Sequence, residues 1–258
     1  MPEWRHGIAH QTRRLQSPAR SAIMADAGVR QFSDQHIAAL TAMVLSTAAC
    51  VWAARHHPGR WTVLFARGLA LLILAAWAGE YVADVILGTW TVQYSLPLQL
   101  TDAVSLTAIL ALLTQAPLLV ELTYFWAFTA SLQAVLTPDL AQSFPSVFYF
   151  TYFGYHVGAI VAASFLVFGC RLYPREGAVW RVYGVTLAFA AISGVGDLLT
   201  GGNYMYLRSK PVHSSLLSVL GPWPWYIVAT AALGLAMLLV LAALTRAVRA
   251  AVDPVAVR

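Results

Sequence analysis

The chain has 258 residues, of which 59% are hydrophobic and 10% are charged. Soluble domains carry about 25% charged residues, so this composition specifies a polytopic membrane protein. The formal net charge of +5 does not point to nucleic acid, because the arginines fall in short segments between apolar runs, where the positive-inside rule puts them. Cys50 and Cys170 are far apart with no CxxC pair, which argues against a disulfide framework or zinc knuckle and leaves them as small packing residues.

Taken in chain order, residues 1–35 read as a basic, disordered tail carrying Arg5, Arg13, Arg14, Arg20 and Arg30. No apolar run follows the arginine pair, so neither a Sec nor a twin-arginine signal is expected, and Met24 is an alternative start to Met1. Allowing about 20 apolar residues per crossing, seven spans follow at 37–54, 68–87, 97–113, 118–136, 145–170, 182–200 and 225–244. Pro97 and Pro145 suit first-turn positions, while Pro58-Gly59, Pro138, Pro174 and Pro222 fall in connections. The expected fold is all-α: a single bundle of about seven transmembrane helices over 36–246, with a cytoplasmic tail at 247–258 and no internal repeat.

Alternate connections differ in charge. One set, with the C-terminus, carries Arg55, Arg60, Arg67, Arg171, Arg175, Arg181, Arg246, Arg249 and Arg258; the other carries Arg208 and Lys210 beside the N-terminal cluster. The count favours a cytoplasmic C-terminus and a plasma-membrane location with the N-terminus outward.

Polar residues inside the spans gather toward the outer half. Glu80 and Asp84 are four apart and share a helix face, as do Tyr149, Tyr152 and His156. Thr101 and Asp102 lie early in an inward-running span; Gln133, Asp197 and Asn203 lie near outer ends; Glu121 alone sits at an inner end. An intramembrane polar group is a functional-site hypothesis by default, and one outward-facing cavity is the simplest account. The bland account is mutual satisfaction by interhelical hydrogen bonds.

His156 is the histidine that falls well inside a span. An imidazole withdrawn from water is favoured in its neutral form, which is a competent base, and Thr101 is the natural hydroxyl for it to activate. The alternatives are a core histidine and a threonine bonded to its own helix. If both helices start level, counting from Pro97 and Pro145 puts the two about 10 Å apart in depth. The length of the fifth span offers a way to close that gap.

The strings LPLQLTD (96–102), SLQAVLTPDL (131–140), FPS (144–146) followed by His156, GGNYMYLRSKP (201–211) and GPWPWY (221–226) together resemble the YwaF-like bacterial integral membrane family. That family is similar to vertebrate transmembrane protein 164, an acyltransferase acting on ether phospholipids. It is more distantly similar to the androgen-induced-gene type of intramembrane hydrolases, which use a Thr and a His. The resemblance implies a nucleophile at Thr101, where relatives of the first two kinds usually show Cys, and a catalytic histidine at His156. At Asp197 an Asn is expected in relatives.

The leading expectation is therefore an intramembrane acyl hydrolase or acyltransferase for a lipid ester. Thr101 attacks, His156 takes the proton, and Gln99 and Asn203 serve as oxyanion donors. Asp102 orients the imidazole or else faces Asn203 or Tyr204, and Glu80, Asp84, Gln133, Tyr152 and Asp197 line the cavity. No metal or organic cofactor is expected; the partner is a membrane lipid, not nucleic acid. The alternative is a non-enzymatic carrier or binding protein for a lipid or small solute, with Glu80, Asp84 and Asp197 binding protons or a cation. A zinc hydrolase ranks below both, since it would have to draw on His156 and His213, too few for the usual three ligands.

Overall fold

The computed structural model describes residues 28–211 and 216–252. The expectations for residues 1–27, for His213 and for 253–258 lie outside the described residues. Seven helices span the described part: α1 (Asp34–His56), α2 (Arg60–Ile86), α3 (Leu100–Thr114), α4 (Pro117–Leu136), α5 (Val147–Gly169), α6 (Ala178–Thr200) and α7 (Trp225–Val252). Six are long and apolar enough to cross a bilayer. The all-α polytopic bundle is thus observed, with two shifts at its ends: α1 begins at Asp34, and α7 continues to Val252, beyond the expected boundary at 246.

The seventh helix, α3, departs from expectation. Its 15 residues reach only about 22 Å, short of the roughly 30 Å hydrocarbon core. Pro97 and Pro145 lie ahead of the helices they were expected to open, which start at Leu100 and Val147; Pro117 takes the first-turn position in α4. Before α3 the chain runs without helix from Gly88 to Gln99. Ser193 of α6 donates to the Leu98 carbonyl at 2.9 Å. Since Ser193 lies seven residues inside Thr200, the start of α3 is sunk about 10 Å below the end of α6.

α5 is the central helix, packed against α1, α2, α3 and α4 and buried along most of its length. Small residues let α2 approach it: a Cβ added at Gly154 would lie 2.9 Å from Ala76 Cβ, and one at Gly158 would lie 2.7 Å from Ile73 Cγ1. Lipid supplies no hydrophobic drive between helices, so close approach and interhelical hydrogen bonds hold such bundles. Trp126 donates to the Thr186 hydroxyl at 2.8 Å, joining α4 to α6, and Tyr124 pairs with Thr245 at 2.6 Å, joining α4 to α7. The outward faces of α1, α2, α6 and α7 are rich in exposed Leu, Val and Ile, as a lipid-facing surface requires.

The two ends of the bundle differ. One carries the arginines of the α1–α2 and α5–α6 connections and of the last turns of α7. There Glu121, 1% exposed, accepts from the side chains of both Arg175 and Arg181, the nearest contacts being 2.8 and 2.9 Å. The other end carries the 87–99 and 137–146 connections, the described segments 201–211 and 216–224, and the polar cluster, and is called the site end below. His36, fully buried at the start of α1, ties two of its segments together: Nδ1 accepts from Phe32 N at 2.8 Å, so Nε2 is the donor to the Val135 carbonyl at 2.7 Å.

Candidate functional site

Thr101 is the second residue of α3. Counting by helical turns, it stacks above Ser105, Ala108 and Leu112, all buried, while Leu106, Leu110 and Leu113 form the exposed face. Thr101 therefore lies on the side of α3 turned into the bundle, yet is itself only half buried. Its hydroxyl makes no hydrogen bond among the described residues. Several other threonines behave differently: Thr114, Thr129, Thr186, Thr200 and Thr245 all donate to the carbonyl four residues back, whereas Thr47, Thr91 and Thr123 likewise keep an unbonded hydroxyl. Thr101 has no such acceptor, because the residue four back is Pro97, ahead of the helix.

His156 lies mid-way along α5, 2% exposed, with Nδ1 buried and unpartnered. Its ring packs against those of Tyr152 and Tyr155, at centroid distances of 4.5 and 4.3 Å. Tyr152 is held in turn by its hydroxyl, which donates to the Ala134 carbonyl of α4 at 2.8 Å. A buried polar atom without a partner is uncommon and calls for an explanation.

The depth difference expected between Thr101 and His156 shrinks in the folded chain. Only Gln115 and Ala116 join α3 to α4, and Tyr152 meets Ala134 across the α4–α5 contact. Counting 1.5 Å per residue along these antiparallel neighbours brings Thr101 and His156 within about one turn of the same level. The sunken start of α3 is the physical reason.

Asp102 points elsewhere. Its carboxylate accepts from Trp77 Nε1 at 2.9 Å and Tyr81 Oη at 2.7 Å, both on α2, and from the Gln99 backbone N–H at 3.0 Å. The last bond is the returning half of a helix N-terminal capping box. Asp102 thus secures the start of α3 to α2, and the expectation that it orients the imidazole finds no hydrogen bond here. The Gln99 side-chain oxygen accepts from Met205 N at 2.8 Å, and its NH2 group has no hydrogen-bond partner among the described residues. Met205 and Tyr206 both take left-handed backbone conformations (φ 52° and 56°), uncommon for residues with a side chain.

The remaining expected residues divide. Glu80 faces Thr151 and Tyr155 of α5, and its Oε2 is buried and unpartnered. Asp84, Asp197, Asn203 and Tyr204 are taken up by the connections. Asp84 accepts from Thr89 Oγ1 at 2.6 Å and from Ser95 Oγ at 3.3 Å. Asp197 Oδ1 accepts from Tyr204 N at 2.6 Å, while its Oδ2 is buried without a partner. Asn203 folds the 203–209 turn, accepting from Arg208 N and Ser209 N and donating to the Ser209 carbonyl and hydroxyl. With both donors engaged there, it is not free to serve an oxyanion.

Tyr204, fully buried, donates to the Val92 carbonyl at 2.7 Å and accepts from Leu96 N at 3.0 Å, so it pins the segment before α3 and is no substrate contact. Burial raises the pKa of its phenol above the usual value. Gln133 is exposed, outside the cluster. Trp77 and Tyr81, a pair four residues apart in α2, are the residues the sequence reading did not assign; their shared face with Glu80 was the available signal. No group of three His, Cys, Asp or Glu converges among the described residues.

A family model described as TMEM164 family matches residues 31–242. No curated protein and no solved structure matches the chain.

Proposed function

The chain belongs to the TMEM164 family, and on that footing we propose that this integral membrane protein breaks the acyl ester of a membrane lipid and passes the acyl group to water or to a second lipid hydroxyl. The observation that carries the reading is the unbonded Thr101 hydroxyl on the inward side of α3, at nearly the depth of the unpartnered His156. In this mechanism Thr101 Oγ attacks the ester carbonyl carbon while His156 takes its proton. Collapse of the tetrahedral adduct expels the lipid alkoxide, which recovers that proton, and leaves an acyl-threonine ester. The acceptor hydroxyl then repeats the sequence in reverse roles. The free NH2 of Gln99 supplies a hydrogen bond to the developing oxyanion. By the arginine count, the C-terminus is cytoplasmic and the site end faces outward.

A non-enzymatic carrier is the second reading, favoured by the buried, unpartnered Glu80 Oε2 and Asp197 Oδ2, which a bound proton or cation would satisfy. Labelling of the purified protein with a lipophilic fluorophosphonate, followed by peptide mapping, separates the two. Modification at Thr101, lost in Thr101→Val and in His156→Ala, is the expected result. A folded protein that stays unmodified at Thr101 would overturn the enzymatic reading.

A further inference from the structure

α4 is not a regular helix. Between Pro117–Trp126 and Leu132–Leu136 it makes a π-helical turn over Ala127–Ser131, in which Leu132 N bonds back five residues to the Ala127 carbonyl. Such a turn holds one extra residue, re-aims the side chains beyond it, and is found frequently at functional sites. This one packs against both α3 and α5.

Its last residue, Ser131, lies on the inward spine of the helix with Ala127 and Val135 and is 1% exposed. Its hydroxyl makes no hydrogen bond among the described residues. Most buried hydroxyls are paired, and Ser46, Ser105 and Thr129 of this same chain donate to the carbonyl four residues back; Ser131 shares the unpaired state with Thr47 of α1 and Thr123 of α4. For Ser131 that acceptor would be Ala127 O, but no such bond forms at this turn, where Leu132 N bonds back to that carbonyl and the helix changes to its five-residue repeat. The chain's other π-turn, Phe165–Gly169 in α5, offers a contrast: Arg55 Nη1 donates to its Phe168 carbonyl at 3.0 Å. At Ser131 a donor is available and nothing in the described chain receives it.

Its depth is that of the proposed nucleophile and base. Thr101 lies thirteen residues before Thr114 and Ser131 fourteen after Pro117, both about 20 Å from the turn that joins α3 to α4. Three residues inward from Ala134, Ser131 is level with the residues three inward from Tyr152 on α5, namely Tyr155 and its neighbour His156. Thr101, Ser131 and His156 thus occupy one layer, contributed by α3, α4 and α5.

We propose that the Ser131 hydroxyl binds the carbonyl oxygen of the acyl ester and donates to it as negative charge develops, the proton staying on Ser131 throughout. With the Gln99 NH2 it makes a two-donor oxyanion site. The inference rests on the acyl-transfer reading and adds a residue to it. A hydroxyl released from its own helix costs no reorganisation when the substrate arrives, which is what makes a preorganised donor effective.

The test is the rate of fluorophosphonate labelling at Thr101, since the phosphonyl oxygen occupies the oxyanion position, together with turnover of p-nitrophenyl octanoate in mixed micelles. Ser131→Ala should slow both by about 10²-fold, with KM changed far less than kcat and the melting temperature close to wild type. Ser131→Thr, which restores a hydroxyl, should recover part of the rate. If Ser131→Ala is too unstable to measure, Ser131→Cys keeps the volume with a weak donor and should show the same kcat-selective loss. Wild-type labelling rates in a folded Ser131→Ala or Ser131→Cys would overturn the assignment while leaving Thr101 as nucleophile. Absence of Thr101 labelling in the wild type would remove both proposals together.

Discussion

Tyr81 gives its hydroxyl hydrogen to Asp102 Oδ1 at 2.7 Å, and this bond decides which way the acid beside Thr101 faces. Neighbouring residues on a helix point about 100° apart. With Asp102 turned to α2, Thr101 is turned into the bundle.

Replacing that acid should therefore disturb the start of α3. Asp102→Asn puts an NH2 where one of three donors now binds, and should cost about 1–3 kcal/mol, read as a lower melting temperature in detergent. Tyr81→Phe removes one hydroxyl and should cost about 1 kcal/mol. If Asp102→Asn melts like wild type, the anchoring role is wrong.

At Thr101, Val retains the branched shape and removes only the hydroxyl, so Thr101→Val should lose turnover while still folding and inserting. Thr101→Cys supplies an intrinsically more reactive nucleophile; it should remain active and become sensitive to thiol alkylation. Full turnover by Thr101→Val would identify Thr101 as a packing residue.

Gly202 tests the loop that backs the site. A Cβ there would lie 2.7 Å from Gln93 O and 2.9 Å from Tyr204 Cε2, so Gly202→Ala must displace the segment that Tyr204 pins. Overpacking of this kind costs about 1–3 kcal/mol. The expected readout is faster hydrogen exchange across 92–98 and 203–207, with little change in α5.

Glu121 lies at the other end and should be separable from function. Glu121→Gln leaves Arg175 and Arg181 without their shared carboxylate. Breaking a fully buried ion pair is strongly destabilising, and solvent screening of the half-exposed guanidinium groups reduces that loss here. Stability should fall while the fluorophosphonate labelling rate per folded molecule stays unchanged.

Orientation is checked by reporter fusions. A phosphatase joined after Arg249 should be inactive and one joined in the 201–211 loop active; the reverse pattern would invert the assignment.

Most helices were legible because apolar length is a strong signal: the expected span at 118–136 became Pro117–Leu136, and 182–200 became Ala178–Thr200. The α3 region misled because the apolar Leu96–Leu100 stretch extends a span by composition, although its backbone is held open by Tyr204 and Ser193, which are distant in sequence. The polar residues were legible as a group but not by role. Asn203 and Tyr204 look like site residues in the sequence because nothing local reveals that their hydrogen bonds close the chain on itself. Ser131 went unassigned for the opposite reason: a serine in a membrane helix is ordinarily bonded backward, and a π-turn leaves no single-sequence signature.

The shortness of α3 bears on how a lipid would meet the site. The ester linkages of a phospholipid lie where the acyl chains join the headgroup layer, at the edge of the roughly 30 Å hydrocarbon core, whereas Thr101 begins a helix of about 22 Å. If the proposed function holds, a substrate has to be drawn several ångströms downward from its leaflet, not lifted toward water. On that reading, Trp77 and Tyr81 of α2, which hold the start of α3 through Asp102, stand beside the point the ester has to reach.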